Sequence, residues 1–298
     1  MAARVIDVAE SASGERLDVF LARELPELSR ARAKAMIDRG AVSVGGRTRT
    51  KSYRIRAGDR IELVELPEPV DFHCTPDPAL DLVVLIETDD FVIVDKPAGV
   101  PSHPLGPEER GTLAGALVAR YPEMREVGYR KREPGILHRL DTGTSGVMLA
   151  ARNERAFGEL REELRAGRIE KRYLARCVGE VEAPRIIDAP IANDPRDRRK
   201  VRACSDPREI RRLGAQSART EILASTRSPG GTLVEVRANH ARRHQIRVHL
   251  AHIGHPLLGD VLYGGPVFEA ATHHLLHASM IRVGTVHAES TAWKYGTF

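Results

Sequence analysis

Cysteine is scarce in this chain. Cys74, Cys177 and Cys204 stand far apart, with no Cys-x-x-Cys pair. An odd, scattered set argues against a disulfide framework and against a thiolate zinc site, and a cytoplasmic, reducing setting is the default expectation. Long apolar runs are also missing. Leu82–Ile86 and Phe91–Val94 are typical, and both fall far short of the ~18–20 residues of a membrane span, so no membrane partner is expected. The opening Met-Ala-Ala-Arg-Val-Ile-Asp-Val-Ala-Glu carries acids early and has no apolar core, unlike a secretory signal. There is no internal repeat or low-complexity tract. What is present is 298 residues, 42% hydrophobic and 29% charged. That composition can bury a core, and the length suits about two domains.

The net charge of +5 is only mildly basic. It permits a nucleic-acid partner without establishing one, so the placement of charge matters more. Between Ser29 and Arg60 there are ten Lys/Arg against two acids, a local excess larger than that of the whole chain. A second cluster, Arg196–Arg212, has eight basic and three acidic residues. Arg237, Arg242, Arg243 and Arg247 form a third, with no acid between them. Four prolines fall between Pro67 and Pro78. They mark residues 67–79 as an extended linker between a small unit, 1–66, and a large one, 80–298.

In the small unit, Ser29 is a plausible N-cap. Ala33, Met36 and Ile37 follow at helical spacing, and Gly40 can end the helix. Ala41–Val44 reads as a strand, Gly45-Gly46 as a tight hairpin turn, and Arg60–Val64 as another strand. A solvated surface is the ordinary reading of a basic stretch. This much charge on a compact helix–hairpin unit points instead to phosphate binding, with Arg30, Arg32, Lys34, Arg47 and Arg49 as the expected contacts. The ordered pieces Arg16-Leu-Asp-Val-Phe-Leu, Ser29-Arg-Ala-Arg-Ala-Lys, Gly40-Ala-Val-Ser-Val-Gly-Gly and Gly58-Asp-Arg-Ile resemble the S4-type RNA-binding domain over about Glu15–Leu63. That resemblance implies recognition of structured RNA, mostly by shape and backbone.

The large unit opens with a hairpin signature, Leu82–Ile86 and Phe91–Val94 around Glu87-Thr-Asp-Asp. Helices are predicted from about Thr112 to Arg120 and from Asn153. Strands are predicted at Val147–Ala151, Tyr173–Val178, Thr220–Leu223 and Leu233–Arg237. Helices and strands do not alternate, so the expected class is α+β with a mixed, largely antiparallel sheet, plus the small α/β-hairpin domain.

The most informative stretch is Gly135-Ile-Leu-His138-Arg139-Leu140-Asp141-Thr142-Gly143-Thr144-Ser145-Gly146. It reads as a strand, then a loop that presents one carboxylate among small residues, then a second strand. A lone Asp-x-Gly is often just a turn in which the aspartate bonds its own backbone. That reading leaves the adjacent His138-Arg139 unexplained. His-Arg-Leu-Asp-x-x-Thr-Ser-Gly resembles the catalytic signature of the RluA-type family of RNA pseudouridine synthases, with Asp141 on the catalytic aspartate. Three further stretches fit the same family in order: Val92–Pro104, Ile169–Ala175 and Arg243–Leu250, the last with Gly254–Gly264 behind it. Two departures stand out. Ala241 replaces a frequent glycine, and Ile281-Arg282-Val283-Gly284 lacks the usual aromatic followed by His-Pro.

The resemblance implies a fold of the pseudouridine synthase type and an isomerisation in which uracil leaves C1′ through N1 and rejoins through C5. No redox or nucleotide cofactor is required, and none is expected. An ionised carboxylate beside C1′ is required, to attack the sugar, to attack a base carbon or to take a ribose proton. The family pattern supplies a cation from Arg247, so an Asp141–Arg247 ion pair is expected, with Tyr173 stacked on the uracil and Ile246 on its other face. A uridine in folded RNA must be flipped out at a cost of a few kcal/mol. Arg139 is the candidate to fill the vacated place. His138 is read as a support for the Asp141 loop, His244 as a structural hydrogen-bonder, and Arg243 as a further substrate contact.

Eight of the twelve histidines lie between His240 and His277. His249, His252 and His255 invite a metal reading, but there is no His-Glu-x-x-His, and Gly254-His255-Pro256 should end the helix first, so no metal is expected. Lys96-Pro97-Ala98-Gly99 lacks a phosphate-loop pattern and reads as a turn packed near the site. The expected partner is RNA, ribosomal RNA of the large subunit first and transfer RNA second. The contrasting class is a non-catalytic RNA-binding assembly factor. No obligate protein partner is inferred, and a monomer is the default.

Overall fold

The computed structural model describes residues 4–25, 28, 30–64, 71–268, 271–293 and 295. Internal contacts divide the chain into Met1–Phe72 and His73–Phe298.

The small unit comprises β1 (Arg4–Asp7), α1 (Leu17–Glu24), α2 (Arg30–Asp38), β2 (Val42–Val44), β3 (Arg47–Thr48) and β4 (Arg60–Leu63). Its antiparallel sheet has the order β1-β4-β2-β3. Ala33, Met36 and Ile37 on one face of α2 share a buried core with Leu17, Phe20 and Leu21 of α1 and Val42, Val44 and Ile61 of the sheet. Gly45 and Gly46 take φ of 57° and 72°, the left-handed pair that a two-residue hairpin needs. The expected cap at Ser29 lies outside the described residues.

The large unit contains β5 (Val83–Glu87), β6 (Phe91–Lys96), α3 (Leu113–Arg120), β7 (Ser145–Ala151), α4 (Glu154–Arg165), β8 (Glu170–Val178) and β9 (Arg185–Asp188). It continues with β10 (Ile191–Asn193), β11 (Val201–Ala203), α5 (Pro207–Leu213), β12 (Arg219–Ser228), β13 (Gly231–Arg237), α6 (Gln245–His252), β14 (Leu276–Val283) and β15 (Val286–Glu289). Nine strands form one sheet in the order β5-β6-β7-β14-β8-β13-β12-β9, with β15 added to β14. Only β7 and β14 run parallel; every other pairing in this sheet is antiparallel. The fold is α+β with a mixed, mostly antiparallel sheet. Helix α4 shows how the pattern works: Asn153 caps it by accepting from Ala156 N–H, and Ala156, Phe157 and Leu160 are buried.

Three expectations need correction or closure. Gly135–His138 is not a strand. It makes a single isolated bridge, Ile136 to Ala150, because Gly135 turns left-handed at φ 64° and packs onto the Ala151 carbonyl. The proline-rich stretch does not stay extended to residue 79: Cys74 is buried in the large core, and Asp77 N–H donates to Gly115 O at 2.9 Å. At the other end, the atypical Ile281–Gly284 segment closes as a hairpin of β14 and β15, with Ile281 and Ala288 buried.

Candidate active site

Asp141 sits on the loop that enters β7, and packing holds that loop from three sides. Ser102 Oγ donates to Leu140 O at 2.8 Å and accepts from Leu140 N–H at 3.2 Å. Thr142 O receives Gly99 N–H at 2.7 Å and the Lys96 ammonium at 3.4 Å. Lys96 is fully buried, and its ammonium also donates to Pro97 O and Val100 O at 2.9 and 2.7 Å. Burial brings its pKa down to about 7 against the pull of Asp141 and Asp95. Thr144 Oγ1 bonds His274 Nε2 at 2.8 Å, and Ser145 Oγ bonds His277 Nδ1 at 2.8 Å. Gly146 has no room for a side chain, since a Cβ there would strike the Ala278 carbonyl. A carboxylate on a loop pinned this way is preorganised.

Arg247, from α6, donates Nη1–H to Asp141 Oδ2 at 2.8 Å. The rest of its guanidinium forks onto Asp260, with Nε to Oδ2 at 2.7 Å and Nη2 to Oδ1 at 2.9 Å. Its side chain is 8% exposed, that of Asp260 1% and that of Asp141 22%. Asp141 is thus the member of the trio open to a ligand. Burial works against ionisation of Asp141. The neighbouring His244 and Arg247 outweigh it and hold the carboxyl below its ordinary value. For Arg247, burial opposes the charge, and Asp260 and then Asp141 more than restore it.

His244 caps α6 with φ 54°, a left-handed backbone rare outside glycine and typical of functional sites. Its Nδ1 lies 2.9 Å from Tyr263 Oη, which already accepts Val201 N–H at 2.9 Å. The other ring nitrogen, Nε2, lies 3.8 Å from Asp141 Oδ2. Ala241, where the family often has glycine, needs no left-handed backbone; among the described residues only Glu108 and His244 do so without being glycine.

Tyr173 and Ile246 are each 4% exposed. They line a narrow pocket together with Asp141, Thr144, Arg247 and Leu276. The sheet register sets Tyr173 in line with Ala278 and Gly146. Burial, and then Asp141, raises the phenol pKa, so Tyr173 is a neutral apolar surface with a polar tip. The pocket opens beside a cleft of ≈ 1180 Å³ that reaches Asp141, Arg247 and the 239–243 loop.

Arg139 is half exposed at the junction of pocket and cleft. Its Nη1 lies 3.3 Å from His103 Nε2 and 3.6 Å from Glu133. His138 accepts Leu149 N–H on Nε2 at 3.1 Å, bracing β7. Burial and the Lys171 ammonium push its pKa to about 3, so it is neutral. Arg243 is exposed, and its Nη2 donates to Arg198 O and Lys200 O at 3.2 and 2.9 Å, stapling the basic 198–200 loop to the cleft rim. His249, His252 and His255 turn to three different partners, Thr220 with Ala189, Ser205, and Val178. Among the described residues no cluster of His, Cys, Asp or Glu is arranged to hold a metal.

In the small unit, Lys34 and Arg47 are exposed and Arg49 lies over the Tyr53 ring at 4.8 Å. Arg32 is half-buried. Arg30 is tied to Asp18 at 3.0 Å. Asp18 is buried and also holds Arg16, so Arg30 acts as a brace between α1 and α2 as well as a surface cation.

Sequence reasoning assigned no role to Asp260, Glu133 or Lys171. Asp260 does stand in the Gly254–Gly264 stretch, and its spacing of 13 residues from Arg247 gave no hint that the two would meet.

Residues 90–252 match the RNA pseudouridylate synthase family, and residues 15–61 match the S4 domain. An uncharacterized RNA pseudouridine synthase of Chloroflexus aurantiacus is 37% identical over 98% of this chain and 88% of its own length. A protein named ribosomal large subunit pseudouridine synthase D, from Xanthomonas campestris, is 38% identical over 87% of this chain and 74% of its own. Among solved structures, human RNA pseudouridylate synthase domain containing 1 superposes with a TM-score of 0.54 and 25% identity, over 72% of this chain and 85% of that one.

Proposed function

The chain belongs to the RNA pseudouridylate synthase family, and from that premise we propose that it converts uridines of large-subunit ribosomal RNA to pseudouridine, with Asp141 as the catalytic carboxylate. The activity is that of an isomerase. One observation carries the assignment of the site: a partly open carboxylate, held ionised by a buried arginine, stands beside a tyrosine and an isoleucine at the floor of a cleft. Attack on ribose, attack on the base and removal of a ribose proton all need that charge. Tyr173 and Ile246 supply flat apolar contact for the uracil.

The narrow pocket measures only ≈ 40 Å³ with side chains as they stand, so a uracil has to displace some of them. Arg139 borders both spaces, and its planar guanidinium suits stacking where the base departs. Arg243 would act on the substrate through the 198–200 loop that it holds. The small unit adds affinity through Arg32, Lys34, Arg47 and Arg49. Ribosomal RNA is favoured because relatives at 33–38% identity carry the large-subunit name, and because an S4 domain suits a large structured target. Three buried free thiols fit the reducing cytoplasm as the place of action.

The test uses large-subunit ribosomal RNA transcribed without pseudouridine, with unmodified transfer RNA in parallel. Carbodiimide-dependent reverse-transcription stops map the products. The wild-type protein should create stops in the ribosomal RNA, and Asp141→Ala should create none while still binding. Stops in the transfer RNA alone would overturn the substrate. Equal patterns from both proteins would overturn the site.

A further inference from the structure

Lys171 lines the cleft, and the chemistry above leaves it unused. It lies on β8 two residues before Tyr173, so the two side chains project from the same face of the strand, about 7 Å apart along it. It is 5% exposed, yet it borders the cleft. The narrow pocket holds Tyr173 but not Lys171. Among the described residues its ammonium has neither a carboxylate nor a hydrogen-bond acceptor. The arginines around it differ. Arg247 holds two aspartates, Arg242 holds Ser217 and Gln216, Arg243 holds two carbonyls, and Arg165 holds Glu162.

A buried cation without a counter-charge is costly. Burial alone brings the Lys171 pKa down to about 8. The backbone bonds of this stretch are otherwise complete: Lys171 N–H goes to Asn239 Oδ1 at 3.2 Å, and its carbonyl accepts Ala238 N–H at 3.3 Å. The main chain at Lys171 is therefore fixed, while the charge on its side chain is unanswered. An RNA strand offers one anionic group at neutral pH, the phosphodiester.

We infer that Lys171 is a phosphate subsite: it receives the backbone phosphodiester next to the uridine whose base lies on Tyr173. This rests on the pseudouridine synthase reading of the same cleft. It assigns Lys171 to the backbone, because Lys171 lines the cleft and not the base pocket. Its work is binding and positioning of the strand.

The experiment is phosphate-ethylation interference on the same unmodified large-subunit ribosomal RNA. Bound RNA is separated by filter retention, so the readout does not depend on turnover. With wild-type protein, ethylation at one phosphate flanking the modified uridine should exclude the RNA from the bound fraction. Lys171→Met should erase that one signal and leave the others. Its KM should rise about tenfold or more, with kcat changed far less, the scale of a lost charge-assisted hydrogen bond. Lys171→Arg should keep the signal. Lys171→Met should melt no lower than wild type, since methionine suits a buried site; a marked fall would mean a structural role and overturn the proposal. An unchanged interference pattern in Lys171→Met would overturn it too, while wild-type activity persists. If wild type makes no pseudouridine yet the Lys171-dependent signal remains, the enzyme reading fails and the phosphate subsite stands.

Discussion

The two units use positive charge in opposite ways. In the small unit, Lys34 and Arg47 stand in water on a helix and a hairpin. In the large unit, Arg247 is sunk beneath the surface and fixed by three hydrogen bonds to two carboxylates. Exposed cations act at a distance, are screened by salt and add up roughly one by one. A buried cation bonded to two carboxylates is screened much less, and its loss strands both. The small unit is therefore expected to tolerate change and set affinity, and the large one to set chemistry through single groups.

Four measurements test that contrast, in order of expected effect. Asp141→Asn should lower kcat by about ten-thousandfold or more, with RNA affinity nearly intact, measured by single-turnover formation of pseudouridine in the RNA. Next, Arg247→Met leaves Asp141 and Asp260 buried together without their cation. Loss of stability by about 3–5 kcal/mol is expected in urea unfolding. Surviving activity should move its acid limb to higher pH, because His244 is then left to oppose the burial of Asp141 without Arg247. In wild type the carboxyl is held low, so activity should persist unchanged as pH falls toward the ordinary carboxylate range. An acid limb near neutrality in wild type would break the contrast.

Third, Lys34→Ala with Arg47→Ala and Arg49→Ala should leave kcat alone. The salt dependence of RNA binding should flatten by about 0.7–0.9 in log–log slope for each phosphate no longer neutralised. A fall in kcat instead would show that the small unit reaches into the chemistry. The smallest effect concerns Lys171, whose folded pKa lies below its unfolded value. Between about pH 8 and pH 10 the unfolded chain binds more protons at this group, so Lys171 destabilises most below pH 8 and ceases to do so above its unfolded pKa. The advantage of Lys171→Met over wild type should therefore be greatest near pH 7 and should narrow as pH rises from about 8 to above the unfolded value of about 10.4.

Much of this was legible because local chemistry writes itself into local sequence. Gly45-Gly46 marked a hairpin, Asn153 marked a helix start, and the stretch from His138 to Gly146 singled out Asp141. What stayed hidden depends on distant parts of the chain. Nothing near Arg30 announces Asp18, and nothing near Arg247 says that Asp260 will grip it from behind. The stretch before His138 read as a strand because it is apolar. A left-handed Gly135 pressed onto Ala151 is a tertiary fact that apolar pattern does not encode. Lys171 looked like one more basic residue in a strand, and only its missing counter-charge distinguishes it.

Asp260 changes what Arg247 can survive. When the carboxylate of residue 141 takes up a proton or bonds to carbon, its charge disappears. A guanidinium held by that group alone would be stranded in a dry interior and would pull water or another anion after it. With Asp260 behind it, Arg247 stays neutralised throughout, so the scaffold need not rearrange while residue 141 changes its bonding and later returns to its starting form.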